Sequence, residues 1–566
     1  MRRQLAACLI AAMSSSSRRL VPVLVLAALL AVLTVAPTAS AKQKGFKYGV
    51  TAADVTPHSA IFWARTTKPG KAWLQLARNG KLGGCHPNRL PKGRGIKSKR
   101  KNDLTIQRHI GGLEADQGYD YRFCMKGGRY SATGHFVTAP RKSARTPIRF
   151  ALAGDQDARP VPGEKQPYWN NFEVWNRIRH QDNDFNVLMG DSIYSDTEVP
   201  GYTLQDVALT VKQKWGAYKT NLNMKPWWKA RSDAAYYAHW DDHEFVNDFS
   251  REESRFPYSN DGVFQGVNKI NGEKLYKRGV RAFRDYNPVN YNKKTGLYRH
   301  ERWGKNLEVF FLDERSFRSS SADYNGACDN PAGSGNPDLA PTAPQSVRNV
   351  FAAIAPPLAN PVAPACLDAI NDPDRTMLGN AQLRKFKKDI QSSNATFKVI
   401  FNEVPIQQFY ALPYDRWEGY ASERKELLRF LKKKVDNSVF LTTDVHANMV
   451  NDARFNTLGS AGVKDSGILD ITNGPIATEN FAGEINSAVG NPAAGALVTQ
   501  LFFQPQPPAG VGMQCAATDQ FSYAEVEVRK SRMTVDLLDE NDQPVKDTGD
   551  ASLPAPPCSQ VVIPAK

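Results

Sequence analysis

Four segments of the chain place carboxylates or histidines directly after an apolar run. They are 150–157, 186–196, 238–248 and 439–446. Ligands of open α/β sheets bind beyond the carboxyl ends of the strands, and oxygen donors placed there suit a hard cation. Each segment alone is also typical of an ordinary turn or helix cap. Because the arrangement recurs four times, the sequence predicts one shared metal site.

The third segment is the least ordinary of the four. Asp241 and Asp242 stand beside His243 after the apolar and aromatic run 234–240. Two adjacent acids in an apolar setting repel each other unless a cation lies between them. This segment therefore indicates metal ligands more strongly than the other three.

The elements that must position these residues follow two patterns. Short runs separated by Gly, Asn and Pro over 46–140 predict a small all-β sandwich. After a linker at 141–147, buried runs alternate with amphipathic segments over 148–566, which predicts an α/β layered region. We expect strands at 148–153, 185–189, 307–312, 397–404, 439–442 and 468–471, and helices at 168–181, 381–392 and 421–434. The composition of residues 329–374 predicts a long excursion of the chain over the surface. Segment 525–538 has the residue alternation of a β-strand and is predicted to close a sheet edge.

Residues 1–41 have the features of a twin-arginine signal peptide. Arg18 and Arg19 precede the apolar run 20–33, and small residues offer a cleavage site near Ala41. We therefore expect export by the Tat translocase to a secreted, extracellular or cell-wall location. Loss of this segment removes four arginines and no acids, so the net charge falls from +16 to +12.

This positive charge favours polyanionic surroundings such as cell-wall polymers, phospholipid surfaces or nucleic acid. General solubility and nonspecific adhesion explain it equally well. The basic segment 89–101 has the same two interpretations, a solvated loop or a polyanion contact.

The cysteines predict disulfides. Of the seven, Cys8 leaves with the signal peptide and six remain, an even number typical of an exported protein. Sequence proximity favours the pairs 85–124, 328–366 and 515–558. The spacing C-x-x-C does not occur, which argues against a cysteine-zinc site.

The order of the motifs resembles the calcineurin-like metallophosphoesterase superfamily, and the details resemble its PhoD-type alkaline phosphatase family. That family has a Gly-Asp-x-Ile-Tyr turn, a Trp-Asp-Asp-His-Glu segment with Asn-Asp beyond it, an Asp-x-Arg-x-x-Arg element and a final Gly-Asp-x-His. The matching positions here are 190–194, 240–248, 313–318 and 443–446. Segments 48–54 and 61–65 match the family's N-terminal β-domain. The resemblance implies a two-layer β-sandwich flanked by helices, preceded by a small immunoglobulin- or fibronectin-like all-β domain.

The resemblance also implies two metal ions, expected to be Fe³⁺ and Ca²⁺. Asp191 would bridge them. The first ion would be held by Asp155, Tyr194 and His446, and the second by Asp242 and Asp444, with Asp157 near either. Asp155 stands where the family has a cysteine, so the identity of the metals is open. Thr443 stands where the family has a glycine.

The remaining implied roles concern catalysis. His243, beside Asp242, would protonate the leaving oxygen or stabilise the phosphoryl group. Arg315 and Arg159 would bind phosphate oxygens, although Arg315 has the alternative of pairing with its neighbours in sequence, Asp313 or Glu314. Asn402 and Glu403 end a further strand where the superfamily places a histidine ligand.

The first hypothesis is therefore an exported metal-dependent phosphoesterase that attacks phosphate monoesters or diesters with metal-activated hydroxide. Its substrate would be a phosphate ester, with a teichoic acid, a phospholipid or a nucleic acid as polymeric or membrane-borne options. One alternative is a phospholipase D-like phosphodiesterase on the same scaffold. The other is a non-catalytic secreted protein that binds cell wall or polyanions and has a degenerate metal site.

Overall fold

Strands and helices fill most of the chain described by the computed structural model, which covers residues 45–78, 80, 82–85, 95–252, 271–324, 326–330, 337–547 and 558–566. The strands are β1 (Phe46–Ala53), β2 (Ser59–Thr66), β3 (Gly70–Arg78), β4 (Ile96–Ser98), β5 (Thr105–Gly111), β6 (Gly118–Met125), β7 (Arg129–Tyr130), β8 (Gly134–Val137), β9 (Ile148–Ala153), β10 (Phe185–Met189), β11 (Ala235–His239), β12 (Arg299–Trp303), β13 (Leu307–Phe311), β14 (Phe397–Asn402), β15 (Ser438–Thr442), β16 (Asn448–Asp452), β17 (Leu469–Thr472), β18 (Cys515–Ala517), β19 (Ser522–Val528), β20 (Arg532–Asp539) and β21 (Val561–Pro564). The helices are α1 (Glu173–Ile178), α2 (Val211–Asn221), α3 (Lys225–Asp233), α4 (Gly272–Tyr286), α5 (Gln345–Phe351), α6 (Pro364–Asn371), α7 (Gly379–Ser392), α8 (Ala421–Lys434), α9 (Phe481–Val489) and α10 (Ala494–Val498). The predicted signal peptide and residues 89–94 of the basic segment lie outside the described residues.

Two large sheets position the site. The first has nine strands in the order β21-β20-β19-β9-β10-β11-β1-β2-β5, and the second has seven in the order β12-β13-β14-β15-β17-β16-β18. Strands β9, β10 and β11 are parallel, as are β13, β14, β15 and β17. Parallel neighbours need a crossover connection, and helices α1, α2, α3, α7 and α8 lie in these connections. The carboxyl ends of both parallel sets carry the loops with polar residues.

The core lies between the two sheets. The ring of Phe150 in β9 is 5.9 Å from that of Phe401 in β14, and the ring of Phe185 in β10 is 4.6 Å from that of Trp303. Strand β10 is buried along its whole length because helices cover its other face, which explains why its residues other than Asn186 are apolar. The predicted two-layer sandwich flanked by helices is confirmed.

The N-terminal region is all-β, as predicted. Strands β3, β4, β6, β7 and β8 form a separate five-stranded sheet, and Phe62 of β2 packs against Tyr121 and Phe136 of that sheet. Strand β1, however, pairs with β11 through Ala52 and Ala235, so one layer of this region continues into the larger sheet. The division at 141–147 stays a prediction.

The predicted elements agree with the structure except at one helix. Strands 148–153 and 185–189 match β9 and β10, and the predicted helix 421–434 matches α8. The predicted helix 168–181 is wrong in length, because α1 spans only Glu173–Ile178. Phe172 has φ 61°, and the side chain of Asn170 accepts a hydrogen bond from its amide at 2.8 Å, a local bond that competes with helix formation. The alternating segment 525–538 covers the hairpin β19–β20.

The cysteine pairs are confirmed as Cys85–Cys124, Cys328–Cys366 and Cys515–Cys558. The second pair joins the start of the predicted excursion to Cys366 in the first turn of α6, and the excursion contains both α5 and α6. Across the described ranges, the helices are too short or too polar to span a membrane.

Candidate metal centre

The strand ends of both sheets meet at one buried centre. Asp155 follows β9, Asp191 follows β10, Asp242 follows β11, and Asp444 and His446 follow β15. Their ligand atoms, with those of nearby acids, form groups in which all atoms lie within 4.8 Å of one another. The groups are Asp155–Asp191–His446, Asp191–Asp242–His243, Asp241–Asp242–Asp444 and Asp242–Asp248–Asp415.

Several oxygens at this centre have no partner within the described residues. Both carboxylate oxygens of Asp155 and Oδ1 of Asp242 are buried without a hydrogen bond. Burial raises the pKa of Asp155 to about 7 although the charge of His446 opposes this, and burial also raises the pKa of Asp191 well above its ordinary value. Unpaired buried carboxylates are unfavourable, and a bound cation reverses this. Carboxylate, phenol and imidazole donors together therefore fit metal ions.

The backbone is strained at the same residues. Asp155, Asp191, Asp444 and His446 have φ values of 60°, 41°, 74° and 51°. Such left-handed conformations in residues other than glycine are unfavourable by about 1–3 kcal/mol each and concentrate at functional sites. Gly190 (φ 84°) precedes Asp191, and a Cβ there would lie 2.6 Å from Cβ of Asp241. Only glycine lets these two loops approach so closely.

His446 is held at both ring nitrogens. Its Nε2 lies 2.9 Å from Oη of Tyr194, and its Nδ1 lies 2.5 Å from Oε1 of Glu484 on α9. A carboxylate on the outer nitrogen of a histidine is typical of metal-binding histidines, because it fixes the ring and its tautomer. Glu484 is absent from the residues predicted from the sequence, because no helix was predicted over α9.

His243 is oriented by Asp196, the last acid of the second motif, which received no role in the sequence analysis. Nδ1 of His243 lies 2.7 Å from Oδ1 of Asp196, and the second oxygen of Asp196 accepts the Asn247 amide at 2.6 Å. Burial opposes charge on His243, but the carboxylates of Asp196, Asp191 and Asp242 raise its pKa well above the ordinary value. The ring stacks on Tyr194 with centroids 4.0 Å apart. His243 is therefore fixed in position by Asp196 at Nδ1, its Nε2 is not engaged by Asp196, and the carboxylates around it favour the protonated ring.

Arg315 is fully buried and binds carboxylates of the centre. Its Nε donates to Asp241, Nη1 donates to Asp415 at 2.6 Å, and Nη2 donates to Asp444 at 2.9 Å. The predicted alternative, pairing with Asp313 or Glu314, is wrong. Those two acids accept from other residues, which are Trp240, Leu297, Ser316, Val404 and Trp417. Asp415 was missed because it lies in a loop far from any strand end.

Asp157 lies outside the four groups. Its Oδ1 accepts the Arg159 amide at 3.0 Å and its Oδ2 accepts the hydroxyl of Thr197. The guanidinium of Arg159 lies over the ring of Tyr202 at 5.3 Å. The structure thus brings Asp155, Asp191, Tyr194 and His446 together, and leaves Asp157 as a neighbour engaged in other bonds.

Two further candidates have supporting contacts. Oε2 of Glu403 accepts the Glu314 amide at 2.6 Å, while Asn402 bonds the carbonyl of Val404. Glu403 does not belong to the four groups of ligands among the described residues. The bond between Glu403 and Glu314 connects the loops after β13 and β14, whereas the bond of Asn402 is local to the loop after β14.

Thr443, which replaces a glycine of the family motif, is accommodated. Its hydroxyl donates to the carbonyl of Met189 at 2.6 Å. A Cβ on Gly154 would lie 2.8 Å from Cγ2 of Thr443. Gly154 therefore provides the space that the larger threonine needs.

The fold and the centre together define the metallophosphoesterase class of proteins. The PhoD-like phosphatase family matches residues 162–537, and the N-terminal domain of PhoD-like phosphatases matches residues 32–140. The chain belongs to the PhoD-like phosphatase family.

Individual relatives agree with this assignment. Alkaline phosphatase D of Bacillus subtilis (strain 168) is 23% identical over 372 residues, which are 60% of this chain and 53% of that protein. The match thus spans about half the length of the curated relative. The solved structure of PhoD has a TM-score of 0.63 at 17% identity and covers 92% of this chain and 90% of its own. A purple acid phosphatase from yellow lupin seeds has a TM-score of 0.51 at 11% identity and covers 89% and 74%. These two structures support the fold.

Proposed function

We propose that this protein is a metal-dependent phosphoesterase that hydrolyses phosphate monoesters or diesters. The observation that carries the proposal is that two buried groups of ligands, Asp155–Asp191–His446 and Asp191–Asp242–His243, share Asp191. A shared carboxylate can offer one oxygen to each of two ions. The family membership makes phosphate esters the substrate class.

The residues fit two different ions. Asp155, Asp191, Tyr194 and His446 would hold the first, and the phenol of Tyr194 suits Fe³⁺. Asp191, Asp242 and Asp444 would hold the second with oxygens alone, which suits Ca²⁺. When bound, the metal pair polarises a phosphate and supplies hydroxide near neutral pH.

The protein's own residues complete the chemistry. His243, charged and fixed by Asp196, presents a proton at the centre for the leaving oxygen. Arg315 holds Asp241, Asp415 and Asp444 in place, and a contact with phosphate oxygens would be its second role. Arg159 is the other proposed cation for phosphate oxygens.

Asp196→Asn should lower kcat for esters with poor leaving groups while sparing those with good ones. The carboxylate of Asp196 raises the pKa of His243 and fixes its ring, so its loss lowers the fraction of His243 that is protonated and oriented to act as the general acid, a role worth about 10²–10⁴-fold. Activated p-nitrophenyl esters leave without a proton and should lose far less. Kinetics on alkyl and p-nitrophenyl diesters measure the difference, with Asp182→Asn as an exposed control. An equal loss on both substrates would indicate a damaged metal centre instead.

Metal content and activity should rise and fall together. Protein purified from its own host should contain two ions by mass spectrometry and hydrolyse bis-p-nitrophenyl phosphate. A chelator should remove the activity, and Ca²⁺ or another divalent ion should restore it. Protein without metal or turnover, even after supplementation, would contradict the proposal and favour the non-catalytic alternative that binds cell wall or polyanions.

Export and domain organisation complete the proposal. We infer a twin-arginine signal peptide at 1–41 and passage through the Tat translocase to a secreted or cell-wall location. The three disulfides support an extracellular protein. The regions 46–140 and 148–566 would be the N-terminal and catalytic domains. Teichoic acid, phospholipid and nucleic acid stay as candidate substrates, with the phospholipase D-like activity to be compared on lipid vesicles.

A further inference from the structure

One face of α2 is buried although its side chains are polar. Lys214, Tyr218 and Asn221 follow one another at intervals of four and three residues, which places them on the same side of the helix. All three are buried. Buried polar groups lower stability unless they have hydrogen-bond partners, so their partners indicate what this face does. We call these three residues the polar stripe of α2.

At its C-terminal end the polar stripe joins the loops after β9 and β10. Nδ2 of Asn221 donates to the carbonyls of Gln156 and Ser192 at 2.9 and 3.0 Å. Its Oδ1 accepts the amide of Ala158 at 2.9 Å. The hydroxyl of Ser192 donates to Oη of Tyr218 at 3.3 Å. This end of the stripe therefore connects two of the loops that supply the proposed metal ligands.

At its N-terminal end the polar stripe joins the loops after β10 and β11. Nζ of Lys214 donates to Oγ of Ser195 at 2.6 Å and to the carbonyl of Phe245 at 2.8 Å. Ser195 directly precedes Asp196, and Phe245 lies two positions after His243. The amide of Ser195 in turn donates to the carbonyl of His243 at 2.9 Å. Lys214 therefore links the two loops beside the contact between Asp196 and His243.

The amine of Lys214 is not neutralised by a carboxylate. Its two acceptors are a hydroxyl and a carbonyl, and among the residues that the structure describes it forms no ion pair. Burial lowers the pKa of Lys214 to about 7, although the charges of Asp196 and Glu244 oppose this. An apolar side chain of the same length would avoid this unfavourable burial, so packing alone does not account for Lys214. Charged or neutral, its amine can donate to both loops.

The start of α2 is itself fixed, so Lys214 is a donor with a defined position. The hydroxyl of Thr210 accepts the amide of Gln213 at 3.2 Å, and the side chain of Gln213 accepts the amide of Thr210 at 2.9 Å. This reciprocal capping box stabilises the first turn of a helix. Just before it, the amide of Ala208 donates to the carbonyl of Ser195 at 2.7 Å. The helix start and Lys214 thus hold the same residue of the loop after β10.

We propose that Lys214 is a positioning residue for His243, the proposed general acid. By holding Ser195 and Phe245, it keeps Asp196 where it can orient the ring of His243. This inference rests on the proposed phosphoesterase function, because it concerns the proton given to the leaving oxygen. Lys214 acts through the two loops and does not contact the substrate. Its loss should therefore displace the acid and leave the metal ligands in place.

The variant K214M keeps the length of the side chain and removes its donors. It should lower kcat for an alkyl diester by about 10–100-fold, because a displacement of about 1 Å can reduce the effect of a catalytic group about 100-fold. A p-nitrophenyl diester needs no proton from His243 and should lose far less. KM should change little for either substrate, since the contacts that bind phosphate are unchanged.

Metal binding separates this role from a general distortion of the centre. In K214M, Tyr218 and Asn221 still hold the loops after β9 and β10. Calorimetric titration of the metal-free protein with Ca²⁺ should therefore give the affinity of the wild type. K212M is the matched control, because Lys212 is exposed two positions earlier on the same helix. It should keep both the affinity and the kinetics of the wild type.

A double-variant cycle tests whether Lys214 acts through the acid. D196N removes the carboxylate that orients His243. If K214M disturbs the same unit, K214M/D196N should lose little more activity on the alkyl diester than D196N alone. S195A removes one acceptor of Lys214 and no charge, so it should show the same difference between the two diesters with a smaller loss. S195A also tests the proposal if K214M does not fold.

The role of Lys214 would be overturned by losses that multiply in the double variant, by an equal loss on both diesters, or by a lower Ca²⁺ affinity of K214M. Hydrogen exchange of segments 192–197 and 242–248 adds a test that needs no turnover. Both segments should exchange faster in K214M than in K212M, and equal exchange would also overturn the role. A wild type that hydrolyses neither diester would reject the phosphoesterase, and the exchange rates would then decide on Lys214 alone.

Discussion

Asp191→Asn should abolish hydrolysis and, at the same time, make the metal-free protein harder to unfold. Asp191 belongs to both groups of proposed ligands, so its loss weakens both metal sites. The activity should fall by more than the roughly 10–100-fold that follows the loss of an outer partner of a metal ligand. Without metal, the same carboxylate is buried among Asp155, Asp241 and Asp242, and burial raises its pKa. Removing its charge should therefore raise the free energy of unfolding by about 0.5–2 kcal/mol.

The measurements are metal content, hydrolysis of a chromogenic diester, and urea unfolding in the presence of chelator. Asp157→Asn is the matched control, since Asp157 lies outside the four groups and its oxygens bond to Arg159 and Thr197. It should keep both ions and the stability of the wild type. A correctly folded Asp191→Asn protein with normal turnover would rule out the assigned centre. A loss of activity with lower stability would indicate a structural role for Asp191.

The strand ends could be predicted from the sequence because each buried parallel strand is a local run of mostly apolar residues. Apart from Asn186, strand β10 is apolar, and it is followed by Gly190, whose positive φ favours glycine. The residues that follow the end of a parallel strand lie at the carboxyl edge of the sheet. This holds whatever the order of the strands in the sheet. Asp155, Asp191 and His446 could therefore be predicted from the sequence to lie at one site.

Residues whose role depends on the meeting of the two sheets could not be predicted. Arg315 follows β13 in the second sheet, while Asp241 follows β11 in the first. Their contact is set by how the sheets pack, so the sequence favoured partners adjacent to Arg315. Asp415 and Glu484 lie in a loop and a helix without strand-end patterns. Each reaches the centre only through tertiary packing.

Arg315→Gln should destabilise the metal-free protein by about 3–5 kcal/mol, the usual effect of removing one partner from a buried ion pair. The guanidinium is fully buried and contacts Asp241, Asp415 and Asp444. Glutamine would leave these carboxylates close together without a cation. Added divalent metal should restore part of the lost stability, because it offsets the same charges. Urea unfolding with and without Ca²⁺ measures both effects.

Two further variants separate the role of Arg315 in charge balance from its proposed contact with phosphate. Arg315→Lys keeps the charge but loses the planar guanidinium that donates to three carboxylates at once. The stability of this variant should therefore lie between those of the wild type and Arg315→Gln. Arg348→Gln breaks another buried pair, in which Arg348 contacts Asp338 at 2.6 and 2.8 Å. It should destabilise the protein without any rescue by metal, because it lies outside the ligand groups. If Arg315→Gln instead raised KM with unchanged stability, Arg315 would act on the substrate phosphate and not as the cation that holds the ligands of the centre together.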